Sequence, residues 1–115
     1  IALFDVIANN ADRKAGHLLT DAADRIWGID HGVTFNADQK LRTVLWGWAG
    51  EPVPDAMLAD VARAQECLRG TYDAIDRWLD DDERDALRRR VARLLATARF
   101  PHPAGRWPAI PWPVF

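Results

Sequence analysis

The chain is short of several things, and each shortage excludes something. Among 115 residues there is one cysteine, Cys67, so no internal disulfide can form and a reducing compartment is expected. Cys67 itself reads as a small core residue on its helix. No apolar run approaches the length of a membrane span, and no charged-then-apolar leader is present, so the expectation is a cytoplasmic protein. Charge of one sign is also missing. Fifteen Lys and Arg against seventeen Asp and Glu leave a formal net charge of -2, which gives no basic footprint for a nucleic-acid partner. There is no Gly-rich phosphate loop and no strand lysine of the Val-Ala-Ile-Lys kind. The first residue is Ile1 rather than Met, so a segment upstream is expected.

The 49% apolar content is enough for one modest core and one domain. Ile1 to Asn9 reads as a helix stopped by Asn9-Asn10, since Asn tolerates left-handed backbone. His17–Thr20 and Arg25–Ile29 read as two short strands around a polar turn. Residues 32–40 read as loop, and 41–48 is ambiguous between helix and coil. Asp55 is expected to cap a helix reaching Arg69, with Met57, Leu58, Val61, Ala62, Ala64 and Leu68 at helical spacing. A short helix is expected over 72–79 and a long one over 83–99, its buried stripe Leu87, Val91, Leu94 and Leu95. The acids at Asp80, Asp81 and Asp82 suit the start of that long helix. The arginines at 84, 88, 89, 90 and 93 read as its solvated face. The tail from Phe100, rich in proline and carrying Trp107 and Trp112, is expected to pack across the helical layer. Trp46, Trp48, Trp107 and Trp112 would then form one aromatic cluster. The whole is mainly α with a small β-hairpin. Residues 1–40 form a layer of loops, 41–99 the helical layer and 100–115 the tail.

Chemistry concentrates in two strings. Asn9-Asn10-Ala11-Asp12-Arg13-Lys14-Ala15-Gly16-His17 places an acid, two bases and a metal-ligand type in one loop. Gly28-Ile29-Asp30-His31-Gly32 places an acid before His-Gly at the end of an apolar strand. The acids Asp12 and Asp30 are eighteen positions apart with the hairpin between them. Phosphoryl transfer needs such a layout: an acid near the attacking hydroxyl, a ligand on the same loop and a second acid for magnesium. Arg13 either steadies phosphate or pairs with a carboxylate such as Asp5 and holds the loop. Lys14 is expected to face phosphate. His17, Asp30 and His31 also have the ligand types of a transition-metal site, although adjacent Asp30 and His31 point apart on an extended chain.

The order and spacing of these strings resemble those of the protein-kinase-like fold, and their wording that of its phosphoinositide-kinase-like and HipA-like branch. There Asp-Arg-x-x-x-Asn and Ile-Asp-x-Gly recur. More narrowly, Leu3 to Pro54 and the end Ile110-Pro111-Trp112-Pro113 resemble an actinobacterial group of phosphatidylinositol-kinase-related proteins. Two positions depart from the wider pattern. His17 stands where the fold usually has Asn, and Lys14 where these kinases commonly have His. The resemblance implies the C-terminal lobe of a kinase, with its nucleotide-clamping N-terminal lobe elsewhere. It implies ATP and Mg2+ as cofactors and a lipid headgroup or protein hydroxyl as acceptor. Asp12 would orient or deprotonate the acceptor, Lys14 would face phosphate, and His17 and Asp30 would hold metal. Alone, such a lobe would be inactive. The competing expectation is a non-catalytic, kinase-derived helical module that binds a protein partner through its Trp/Pro tail.

Overall fold

In a computed structural model that describes residues 1–115, helix α1 spans Ala2–Ala8. It stops where expected: Asn9 adopts left-handed backbone at φ 55°. Strands β1 (Leu18–Thr20) and β2 (Ile26–Gly28) form an antiparallel hairpin with Leu19 opposite Trp27. The ambiguous stretch before Pro54 is irregular apart from one 3-10 turn, Trp46–Trp48. Helices α2 (Asp55–Arg69), α3 (Asp73–Asp76) and α4 (Asp81–Thr97) follow. The architecture is therefore mostly helical with one small hairpin.

Details at the helix ends differ from the sequence reading. Pro54 takes the cap position of α2, and Asp55 is its first helical residue. Helix α3 is a single turn, shorter than the expected 72–79. Helix α4 starts two residues earlier than Glu83 because Asp80 is its cap. Asp80 Oδ1 accepts from Glu83 N–H at 2.9 Å, and Glu83 Oε2 accepts from Asp80 N–H at 3.0 Å. This reciprocal pair satisfies two donors that the helix cannot use itself.

The apolar core lies between α2 and α4. Val61, Leu68, Leu87, Val91, Leu94 and Val53 are buried together, with Leu3 and Ile7 of α1 packed against them. Cys67 is not part of it. The stripe of α2 is set by Val61 and Leu68, seven residues apart, and the neighbouring position turns about 100° away into solvent.

The arginine run on α4 is only partly a solvated face. Arg88 Nε donates to Leu68 O at 2.8 Å, and Arg90 Nε donates to Ile7 O at 2.8 Å. Those carbonyls belong to the last turns of α2 and α1, which have no partner inside their own helices. One helix thus caps two others. Arg84 is also engaged, paired with Asp76 and Asp81.

The tail corrects the expected aromatic cluster. Trp112 is 87% exposed, and Phe115 is exposed too. What is buried is Pro111. The tail docks through its backbone: Ala109 O accepts from Thr43 N–H at 3.0 Å and from the Trp46 indole N–H at 2.8 Å. Val114 O accepts from Ala15 N–H at 2.8 Å. These anchors lie on the loop at Ala15 and on the irregular stretch at Thr43 and Trp46, not on α2 or α4. Trp107 lies beneath Lys40 and Arg42 and lines one hollow with Trp46, whereas Trp48 stands beside Phe100 and Trp112 faces solvent, so the four indoles do not form one cluster. Truncation after Pro103 removes three hydrogen bonds at about 1 kcal/mol each. Calorimetry is expected to show a loss of about 3 kcal/mol on truncation. Trp112→Ser should stay within about 0.5 kcal/mol of the parent, as an exposed position does. A truncated chain as stable as the parent would show that the tail is not anchored.

Candidate functional site

The loop after α1 is built on a buried polar centre. Asp5, Asn9, Asn10, Arg13 and Thr43 are all buried. Arg13 grips Asp5 with two bonds, Nε to Oδ2 at 2.8 Å and Nη2 to Oδ1 at 2.9 Å. Asn10 donates to the same carboxylate at 3.0 Å. The remaining face of the guanidinium donates from Nη1 to Ile29 O at 2.6 Å. Arg13 is therefore the structural member of its string, paired with Asp5. Through Ile29 it also fastens the second string beside the first.

Backbone pairing completes the clamp. Ala11 N–H donates to Val33 O at 2.9 Å and Arg13 N–H to Arg42 O at 3.1 Å. The acid-bearing loop thus runs between residues 33–35 and 42–44. Asn9 contributes what sequence reading missed. Its Nδ2 donates to Asn36 O and Asp38 O, and its Oδ1 accepts from Lys40 N–H at 3.0 Å. It pins the loop 36–40 as well as ending the helix. A buried residue pair Asn-Asn directly after a helix, flanked by Asp5 and Arg13, is the only sequence trace of this centre.

The four expected site residues fall in one row above it. Asp12 N–H donates to Asn10 Oδ1 at 3.0 Å, which fixes the backbone under its half-exposed carboxylate. Lys14 Nζ lies 3.6 Å from Asp12 Oδ2. The backbone N–H of Lys14 donates to His17 Nδ1 at 3.4 Å. That bond leaves Nε2 of His17 to face Asp30, 3.6 Å from Oδ2. Asp30 itself is at φ 55°, a conformation that Asp tolerates better than most residues, and its Oδ1 accepts from Gly32 N–H at 3.3 Å. His31 is outside the row. Its ring stands edge-on to Phe4 at 5.2 Å, and no three His, Cys, Asp or Glu side chains come together. The three-ligand set of His17, Asp30 and His31 is therefore not built.

Magnesium fits part of this donor set. Neighbouring ligands on an octahedral Mg2+ with bonds of about 2.1 Å lie about 3 Å apart. The 3.6 Å between His17 Nε2 and Asp30 Oδ2 is close to that spacing. The side chain of Asp30 is 60% exposed, leaving room for water and phosphate oxygens. The imidazole is the weaker match: Mg2+ favours oxygen, and with Nδ1 accepting from Lys14 N–H the proton of a neutral His17 sits on Nε2, so Nε2 is not a free ligand atom in this arrangement.

The hairpin that separates the two acids is closed by Asp21. Its carboxylate accepts from the Trp27 indole at 2.9 Å, from Arg25 Nε at 2.8 Å and from the N–H groups of Ala23 and Arg25. These donors, the Trp27 indole first, hold its pKa down at about 2. The folded value is below the unfolded one. The contribution to hairpin stability is therefore complete above the unfolded pKa and lost as pH falls through about 2. An NMR titration of the Asp21 carboxyl carbon should give a midpoint near 2 in the parent and a higher one in Trp27→Phe. Equal midpoints would remove the indole as the cause.

The class defined so far is a small, mostly helical domain with an acid–base row on its loop layer. No helix is long and apolar enough to cross a membrane. No family model matches the chain, and no solved structure matches it. The chain is similar to Protein Rv2133c of Mycobacterium tuberculosis, with 46% identity over 116 residues. That match takes in all of this chain and 41% of the relative, so the chain spans about two fifths of the relative's length.

Proposed function

We propose that the chain is the C-terminal catalytic lobe of a kinase-like phosphotransferase that uses ATP and Mg2+ on a lipid headgroup or protein hydroxyl. One observation carries the reading. Arg13 bonds both to Asp5 and to Ile29 O, and so holds the Asp12 string against the Asp30 string despite their separation in sequence. The continuous row Asp12–Lys14–His17–Asp30 is the consequence.

In this mechanism Asp12 orients the acceptor hydroxyl and takes its proton as the oxygen attacks the γ-phosphorus of ATP, while the bond from that phosphorus to the bridging oxygen breaks and ADP leaves. Lys14, beside it, offsets the charge on the transferred phosphoryl group. Asp30 would hold the metal ion, joined by His17 Nε2 only once His17 gives up its bond from the Lys14 N–H and moves its proton to Nδ1. The ion supplies charge neutralisation across the phosphates. Arg13 touches none of the reacting groups and keeps the two acids in register. The test is ATP turnover by the natural polypeptide that carries this chain, with Asp12→Asn and Asp30→Asn as variants.

A second reading has its own support. Trp112 at 87% exposure and Phe115 at 82% are large apolar side chains presented on an anchored backbone. Such residues suit a helical module that engages a protein partner through its Trp/Pro tail. Turnover that Asp12→Asn leaves intact would favour this alternative.

A further inference from the structure

A cavity of about 540 Å³ opens among the C-terminal half of α4, the end of α1 and the segment that follows α4. Its walls carry Arg90, Arg93 and Arg99 together with His102, Gln39 and Thr97, and no Asp or Glu lines it. Its volume is in the range of pockets that hold small molecules, roughly 300–1,000 Å³. It shares no residue with the row from Asp12 to Asp30, so nothing below rests on the kinase reading.

Like charges gathered in one hollow repel, and proteins normally intersperse carboxylates. Here none of the three guanidiniums has a carboxylate partner; Arg42, Arg77, Arg89 and Arg106 lack one too, but Arg90, Arg93 and Arg99 share one cavity without Asp or Glu. Arg90 is the most constrained of the three. Nε is committed to Ile7 O and Nη1 to Asn36 O, so the plane of the group is fixed. Its Nη2 is covered from solvent and has no hydrogen-bond partner. Burial, with neighbouring Arg89, lowers its pKa to about 10, which still leaves it charged at neutral pH. Arg99 is positioned through Nη1 on Gly50 O at 2.8 Å. Arg93 is exposed and free to close over a ligand. The wall at Gly50 is kept bare: a Cβ there would meet His102 Nε2 at 2.7 Å, and its φ of +80° favours glycine.

We propose that this cavity binds a small soluble phosphorylated molecule, with Arg93 and Arg99 gripping the phosphate beside the fixed guanidinium of Arg90. A phosphate group brings up to two negative charges and three acceptor oxygens, which match several forked donors at once. A carboxylate offers one charge and one edge, and would leave the remaining arginines uncompensated.

Calorimetric titration of the full chain with inorganic pyrophosphate tests this, at about 0.15 M salt to screen loose surface binding. Saturable one-to-one binding is expected, about tenfold or more tighter than for succinate, an anion of similar size. The double variant Arg93→Gln/Arg99→Gln should weaken it about tenfold or more, while Arg63→Gln on α2 changes it less than about twofold. Arg93→Gln alone, at an exposed position without a fixed bond, serves if the double variant melts early. Any of four results would overturn the proposal. One is no saturable binding, another equal affinity for succinate, and a third an affinity that the arginine variants leave unchanged. Binding confined to phosphatidylcholine vesicles carrying phosphatidic acid, with none to pyrophosphate, would overturn it as well.

Discussion

Arg13→Met is expected to cost about 3–5 kcal/mol of folding stability, seen in urea as a lower midpoint at unchanged slope. The domain as a whole should have about 5–15 kcal/mol, so this one change brings it close to unfolding. The size follows from what is left behind. Asp5 is fully buried and would keep its charge, or take up a proton, with only Asn10 as a side-chain donor. Ile29 O would lose the donor that holds the second string in place. Removing both charges separates these effects. Asp5→Leu/Arg13→Met eliminates the stranded carboxylate and should recover part of the loss. It should not recover all, because the Ile29 carbonyl and the Asn10 amide remain without their partners. A loss below about 1 kcal/mol in the single variant would mean that the polar centre is not the clamp described here.

Much of the fold is legible in the sequence where local and global signals agree. The hairpin is bounded by polar residues on one side and Gly28 on the other, and its strands fall within a residue of their expected limits. The helices over 55–69 and 81–97 announce themselves by apolar spacing and acidic starts. The pairing of Arg13 with Asp5 is one of two options that the sequence leaves open, and only burial decides between them. Other features depend on tertiary geometry. An arginine on an amphipathic helix looks solvated unless one knows that the open end of another helix lies opposite, as Ile7 O does for Arg90 and Leu68 O for Arg88. The tail misleads for a different reason. Counting tryptophans measures how much apolar surface could be buried, not which side of an extended segment faces inward. Here the carbonyls of Ala109 and Val114, with the ring of Pro111, make the contact, and the indole of Trp112 faces outward. In the candidate site, residue types and order pointed to Asp12, Lys14, His17 and Asp30. The Asn9 and Asn10 bonds beneath them leave almost no mark on the sequence.

On the proposed function, Asp12→Asn should lower phosphoryl transfer by about 10²–10⁴-fold in the natural polypeptide that carries this chain, the usual worth of a positioned base. Folding stability should hardly move, within about 0.5 kcal/mol, because the carboxylate is partly exposed and its one close partner, Lys14, is a surface-type pair. This contrast with Arg13 is what makes the measurement informative. An Arg13 variant loses turnover by losing the fold, and a melting curve records it. An Asp12 variant would lose turnover with the melting curve intact. Asp30→Asn should behave similarly but with a second signature, a need for more Mg2+ to reach the same rate, since it exchanges a charged carboxylate ligand for a neutral amide oxygen rather than removing a base. His17→Asn separates the two roles further. It places an oxygen donor where the imidazole faces Asp30, so the Mg2+ requirement should ease if His17 is a ligand. If His17 only steadies the loop through its bond from the Lys14 backbone, the requirement stays the same and the hairpin loosens instead. Turnover that survives Asp12→Asn with its magnesium dependence unaltered would remove this loop from the chemistry. The row of charges would then be a scaffold feature, and the exposed tail would become the functional surface to pursue.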